Sequence, residues 1–124
     1  TALPGASIGL GCDFTPARSL LDAGACLAIA SDYNPGSAPM GDLLTQASLL
    51  GTFEKLTNAE VLAGITYRAA KALGLSDRGR LQRGMKADLT VFQADHFNEI
   101  LYHQGQLSPA YVWKSGECVL DKSQ

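Results

Sequence analysis

Cys26-Leu-Ala-Ile-Ala-Ser-Asp-Tyr-Asn-Pro-Gly-Ser37 is the stretch that decides how the rest of the sequence is interpreted. Its first half is almost wholly apolar and lies between Gly24 and a tail of turn-forming residues, so it predicts a strand over residues 26–31 that is buried on both faces. Functional groups of parallel α/β folds follow the carboxyl ends of such strands. Asp32 has that position, and we expect its carboxylate to need a metal ion, a cationic substrate or backbone amides as a partner.

The tail of this stretch has residues that fix backbone shape. Pro35 restricts its own φ and favours an extended Asn34, and Gly36 permits a positive φ or close approach of a ligand. Asn34 and Ser37 add short hydrogen-bonding groups. Asp, Asn, Pro and Gly are also the usual turn residues. The tail therefore indicates either a binding loop or a simple strand-ending turn.

Composition restricts the class of protein. The 124 residues are enough for one domain, and 46% are hydrophobic. Ten basic and twelve acidic residues are well mixed, without a basic patch, which argues against a nucleic-acid partner. We expect no membrane span, because no apolar run approaches about 20 residues. Residues 1–5 contain neither a charged leader nor an apolar core, so no signal peptide is expected.

The cysteines and histidines form no metal-binding pattern. Cys12, Cys26 and Cys118 are too widely spaced for a Cys-x-x-Cys motif, which predicts free thiols in a reducing, cytoplasmic compartment. Cys26 is expected to be a small core residue. His96 and His103 lack metal-ligand spacing and are interpreted as surface or loop residues.

The order of elements divides the chain into two unlike parts. Residues 1–75 are predicted to be α/β, with a loop, three helices and the buried strand. The remainder, 76–124, is predicted to be mostly β, with a strand followed by a hairpin. The predicted elements are a loop at 1–14, helices at 15–23, 42–55 and 57–73, a strand at 89–92, an irregular segment at 93–109, and hairpin strands at 110–114 and 117–120.

Three features in this order resemble the C-terminal third of the amidohydrolase superfamily. They are an Asp at the end of a buried strand, the signature Gly79-Arg-Leu-Gln-Arg-Gly-Met-Lys-Ala-Asp-Leu89, and a Val-Trp-Lys-x-Gly hairpin that begins at Val112. The resemblance implies an α/β chain that is the C-terminal piece of a (β/α)8 metal-dependent hydrolase barrel plus part of the flanking small β domain. Residues 1–75 would hold the last barrel strand and outer helices, and 76–124 part of the β domain.

A narrower resemblance is to the imidazolonepropionases, hydrolases of histidine degradation. Leu3-Pro-Gly-Ala6 is similar to a loop of that family, and Asp32 to Ser37 to its Asp-x-Asn-Pro-Gly-(Ser/Thr) segment. The resemblance implies hydrolysis of 4-imidazolone-5-propanoate to N-formimino-L-glutamate with zinc or iron. Asp32 would bind the metal and accept a proton, Asn34 and Gly36 would bind product, and Ser37 would bind the small-molecule substrate.

The family's metal-binding His-x-His pair has no counterpart in this sequence. We therefore expect the chain to be inactive alone, and to associate with itself or with the missing N-terminal part. Two alternatives stay open at this point. The chain could come from another hydrolase or deaminase of the superfamily, or it could be a small binding domain without catalysis.

Overall fold

A computed structural model describes residues 1–122 as a chain of mixed helices and strands. The last two residues of the predicted 76–124 part therefore lie outside the described residues. Within 1–122, no helix is long and apolar enough to cross a membrane. The elements are α1 (Pro4–Leu10), α2 (Ala17–Asp22), α3 (Leu43–Phe53), α4 (Asn58–Ile65), α5 (Tyr67–Ala72), β1 (Leu89–Val91), α6 (Asn98–Tyr102), β2 (Tyr111–Lys114) and β3 (Glu117–Asp121).

The predicted buried strand is present as an extended segment that forms one parallel bridge. Ala2 pairs with Ile29, donating to the carbonyl of Ala28 at 2.8 Å and accepting from Ala30 at 3.0 Å. Residues 27–29 are all buried, so both faces of this segment are covered. The expectation for Cys26 is wrong, because its side chain is exposed.

The first fourteen residues are not simply a loop, as the glycine-rich sequence predicted. Residues 1–3 reach the parallel bridge, and α1 begins at once with Pro4, whose fixed φ suits the first helical turn. The helix ends at Gly11, which has a left-handed backbone with φ of 65°. Helix α2 is shorter than predicted, and Thr15 makes no capping hydrogen bond at its start.

Helix α3 confirms its predicted cap and apolar stripe. The Asp42 carboxylate accepts the backbone N–H of Thr45 at 3.1 Å, which satisfies one unpaired donor of the first turn. Ala47 and Leu50 are fully buried, and Leu43 packs at the edge of the same cluster. This stripe holds α3 against the parallel segments and α4.

The predicted third helix is two helices, because it breaks at Thr66. The capping box of Thr57 and Glu60 at its start is confirmed. At the break, the Thr66 hydroxyl donates to the Leu62 carbonyl at 2.6 Å, while the Thr66 N–H bonds weakly to residue 63 at 3.4 Å. The continuation is less buried than predicted, since residues 72 and 73 are exposed.

The break frees a helix carbonyl for the buried strand. In a continuous helix the Gly64 carbonyl would accept from residue 68, but here it accepts the Ile29 N–H at 2.9 Å. Gly64 also has to lack a side chain, because a Cβ there would lie 2.9 Å from Ile29 Cδ1. One hydrogen-bonding position on the strand's second edge is thus satisfied within the chain.

The strands of the described chain form an antiparallel sheet in the order β1-β2-β3. The predicted hairpin is confirmed, and both residues of its turn, Ser115 (φ 52°) and Gly116 (φ 86°), adopt the left-handed backbone that two-residue hairpins favour. Asp88 of the signature accepts the Ser115 N–H at 2.8 Å and pairs with Arg78 and Lys114. This backbone hydrogen bond is the main reason that the pKa of Asp88 is lowered.

The segment 93–109 before the hairpin is not wholly irregular, as the sequence predicted, since it contains α6.

Candidate active-site loop

Asp32 begins a loop that leaves the end of the buried parallel segment. Its side chain is exposed, so the expected penalty for a buried charge does not apply. Among residues 1–122, no group forms a hydrogen bond or ion pair with its carboxylate. The residue with a positive φ in this loop is Asp32 (47°). Of the two possibilities that the sequence left for Gly36, a positive φ or close approach of a ligand, the first does not occur. A non-glycine residue in this conformation costs roughly 1–2 kcal/mol, so the loop must supply compensation.

Asn34 supplies that compensation by bonding to three residues of the loop. Its Nδ2 donates to the Asp32 carbonyl at 2.7 Å and to Ser37 Oγ at 3.1 Å. Its Oδ1 accepts the backbone N–H of Gly36 at 2.9 Å and that of Ser37 at 2.8 Å. Two donors and two acceptors are the full capacity of an asparagine amide. Asn34 therefore fixes the relative positions of the other three predicted site residues.

The loop is closed by its own backbone as well. Asn34 donates its N–H to the carbonyl of Ala38 at 3.1 Å, and Ala38 is fully buried. Gly36 is exposed, whereas Ser37 is half-buried with its hydroxyl against the Asn34 side chain. The predicted turn and the predicted site residues are thus the same compact unit, which presents a free carboxylate, a hydroxyl and exposed backbone.

Gln46 on α3 is a residue of this region that the sequence interpretation missed. It is fully buried and connects the two segments that follow the parallel bridge. Its Oε1 accepts the Gly5 N–H at 3.0 Å, and its Nε2 donates to the Met40 carbonyl at 2.6 Å. The available signal was its position three residues after Leu43 and four before Leu50, which places an amide on the apolar face of the helix.

A charge cluster that lies away from the loop joins α2 to α4. Arg18 forms two hydrogen bonds with the Glu60 carboxylate, at 2.8 and 3.0 Å, and also pairs with Asp22. These bonds, together with the Thr57 N–H, hold the pKa of Glu60 at about 2, below its ordinary 4.5. The bonds to Glu60 and Asp22 raise the pKa of Arg18. This cluster is structural, because every member serves a helix end or a helix contact.

The described residues do not form a metal site by themselves. No group of three or more His, Cys, Asp or Glu side chains in 1–122 is placed to hold a metal ion. A catalytic zinc site ordinarily has three protein ligands, so the predicted ligand Asp32 would not be sufficient alone. Two open surface grooves, of about 490 and 510 Å³, are lined by other segments and include no residue of 31–37.

Comparison with known proteins identifies the family. The model of the family described as "Amidohydrolase family" matches residues 4–120. The chain belongs to the amidohydrolase family. This confirms the superfamily resemblance that the Asp32 segment and the signature predicted.

Two curated members of this family show the narrower similarity. An imidazolonepropionase of Deinococcus radiodurans is 41% identical over 116 residues, which is 94% of this chain and 29% of the relative. An imidazolonepropionase of Paracoccus denitrificans is 45% identical over 104 residues, covering 83% of this chain and 26% of the relative. The predicted similarity to imidazolonepropionases is confirmed. The chain spans less than a third of the length of these relatives.

Solved structures of the family have the same fold over this length. A zinc-bound adenosine deaminase from Xanthomonas campestris superimposes with a TM-score of 0.75 at 26% identity, over 97% of this chain and 31% of that protein. An atrazine chlorohydrolase from Arthrobacter aurescens gives a TM-score of 0.82 at 20% identity, over 97% and 30%. The mixed helix and strand arrangement of this chain is therefore an arrangement found in larger amidohydrolases.

Proposed function

We propose that this chain is the C-terminal part of an imidazolonepropionase, which hydrolyses the ring amide of 4-imidazolone-5-propanoate to give N-formimino-L-glutamate. The observation that carries the proposal is the identity of 38–45% to curated imidazolonepropionases over most of the chain. The Asp-Tyr-Asn-Pro-Gly-Ser loop at the end of a buried parallel segment supports it, because functional groups of α/β folds collect there.

The proposed architecture assigns residues 1–75 to the last part of a (β/α)8 barrel and 76–124 to a β domain. The parallel pairing of Ala2 with Ile29 supports the first assignment, and the β1-β2-β3 sheet supports the second. Val91 and Val119 are 42% and 61% exposed on this sheet, which favours pairing with further chain segments or with a second copy. Size-exclusion chromatography of the isolated chain should show self-association, and a stable monomer would contradict this part of the proposal.

The proposed roles are those that the family resemblance implies, and the geometry of the loop supports that of Asp32. Asp32 is the proton acceptor for the attacking water, since its carboxylate is exposed and has no partner within 1–122. Ser37 binds the substrate through a hydroxyl that faces Asn34. Gly36 binds the ring-opened product. Asn34 would have to exchange one of its four loop bonds to contact product as well, so its first task is to hold the other three residues.

Asp32 is also the proposed single metal ligand from this chain. A complete set of three ligands would need residues outside 1–122, because no group of three or more candidate ligands is placed to hold a metal ion within the described residues. The zinc in the adenosine deaminase relative supports a divalent metal, with zinc or iron as the candidates. Such a metal, when bound, makes hydroxide available near neutral pH.

The deciding experiment is turnover of 4-imidazolone-5-propanoate by the longer protein that contains this chain. Asp32→Asn should lower kcat by roughly 10²–10⁴-fold, the usual contribution of an acid–base group, and should reduce bound zinc or iron. Asp42→Asn is the matched control, because Asn caps a helix as well as Asp does. Near-normal kcat in Asp32→Asn would refute the assigned role.

The alternative function is deamination, because the adenosine deaminase structure is 26% identical to this chain. A parallel assay for ammonia release from adenosine and cytosine distinguishes the two. Deamination without turnover of imidazolone propanoate would replace the proposed substrate and keep Asp32 in its role.

A further inference from the structure

Gln46 is a buried polar residue that the proposed reaction leaves without a role. Its side chain is fully inaccessible and lies on the apolar stripe of α3. Burying an amide there is unfavourable unless both of its ends are hydrogen-bonded. Both ends are bonded, and each bonds to the backbone of a different segment, so the amide works as a connection between them.

The two connected segments are those that follow the two halves of the parallel bridge. Gly5 lies in the first turn of α1, three residues after Ala2, and Met40 lies at the end of the loop that begins with Asp32. Gly5 has to be a glycine for this contact, because a Cβ would lie 2.5 Å from Gln46 Oε1. Gln46 thereby fixes the distance between α1 and the loop.

A second contact carries this constraint to the proposed substrate residue. Helix α1 packs its Gly9 against the carbonyl of Ser37 so closely that an added Cβ would overlap the carbonyl oxygen. The loop is therefore held by α1 at Ser37 and by α3, through Gln46, at Met40. Movement of α1 relative to α3 would shift Ser37 and weaken the hydrogen bonds that the Gly36 and Ser37 N–H groups make with Asn34.

We propose that Gln46 is a positioning residue that sets the place of Ser37 through α1 and Met40. The expected change in KM rests on the proposed function. The expected change in the position of Ser37 rests on the contacts alone. Because Ser37 is the proposed substrate-binding group, loss of the Gln46 amide raises KM and leaves the proton transfer at Asp32 nearly unchanged.

The test compares Gln46→Leu with Ser48→Ala in the longer protein. Ser48 is a matched control, since it is a buried residue of α3 whose hydroxyl donates to the Leu101 carbonyl at 3.0 Å, away from the loop. Gln46→Leu should raise KM about tenfold with kcat within threefold, and Ser48→Ala should change neither. Hydrogen exchange at Gly36 and Ser37, whose N–H groups bond to Asn34, should accelerate at least tenfold in Gln46→Leu only.

A second variant keeps the proposal testable if Gln46→Leu does not fold. Gln46→Glu retains the acceptor for Gly5, but it can donate to Met40 only when protonated. At each pH, the KM of Gln46→Glu is compared with the KM of the unchanged protein. The difference between the two should shrink as the pH is lowered. A pH-independent KM defect would overturn the proposed donor role.

The outcomes separate this inference from the proposed function. Unchanged exchange at Gly36 and Ser37 in Gln46→Leu, or equal acceleration in Ser48→Ala, overturns the positioning role. Absence of turnover by the unchanged protein overturns the proposed function, and the exchange experiment then decides the role of Gln46 by itself.

Discussion

Replacing Asn34 by Ala should release the loop that contains every predicted site residue. The substitution removes hydrogen bonds to the Asp32 carbonyl, to Ser37 Oγ, and to the N–H groups of Gly36 and Ser37. A protein hydrogen bond contributes about 0.5–1.5 kcal/mol net, and the lower value suits a partly solvated loop. Four bonds then stabilise the ordered loop by about 2 kcal/mol, which corresponds to roughly 30-fold in its population.

The assay is residue-resolved hydrogen exchange, with Asn34→Asp as the graded comparison. Asn34→Ala should accelerate exchange at Gly36 and Ser37 by roughly 30-fold, while the buried end of α4 around Val61 keeps its protection. Asn34→Asp retains both acceptor bonds and loses both donors, so about half the free energy remains and acceleration should be roughly fivefold. Exchange within twofold of the unchanged protein in Asn34→Ala would refute the argument that this side chain orders the loop.

Three further predictions concern the support of the loop. Gly64→Ala should destabilise the protein by about 1–3 kcal/mol in urea unfolding, because its Cβ would press on Ile29, and a gain in stability would show that Ile29 moves aside. Leu50→Ala should cost about 2–5 kcal/mol, since Leu50 is fully buried, and a loss below about 1 kcal/mol would contradict its central place in the core. The pair of Arg18 and Glu60 stabilises the fold fully above pH 4.5 and loses this contribution as the pH falls towards 2, because the pKa of Glu60 is lowered on folding. The difference in free energy of unfolding between the unchanged protein and Arg18→Gln should therefore become smaller over that range. A constant difference would show that the pair does not stabilise the fold.

The features that the sequence predicted well depend on neighbours within one helical turn or one hairpin. The Asp42 cap, the capping box that begins at Thr57 and the turn at Ser115 each involve residues at most three positions apart. Local spacing is visible in a sequence, so these elements could be assigned before the structure was known. The family signature could be assigned for the same reason, because its spacing is fixed along the chain.

The features that were missed depend on contacts between distant residues. Helix α1 was predicted as a loop because its glycines disfavour a helix, whereas the structure anchors it through Gln46, 41 positions beyond Gly5. The break at Thr66 was missed because it frees the Gly64 carbonyl to accept the N–H of Ile29, which lies 35 positions before Gly64. Asp32 was expected to be buried because it follows a buried strand, but the strand ends before it and the loop turns outward.

The hydrogen bond between Ile29 and Gly64 also has a consequence for how such sequences diverge. It needs a residue without a side chain at 64 and a helix interruption at 66, and neither feature is useful without the other. A mutation that restored a continuous helix would withdraw the carbonyl from the strand, and a larger residue at 64 would push the strand away. We therefore expect substitutions at 29, 64 and 66 to be correlated among relatives, with the three positions changing together or remaining together.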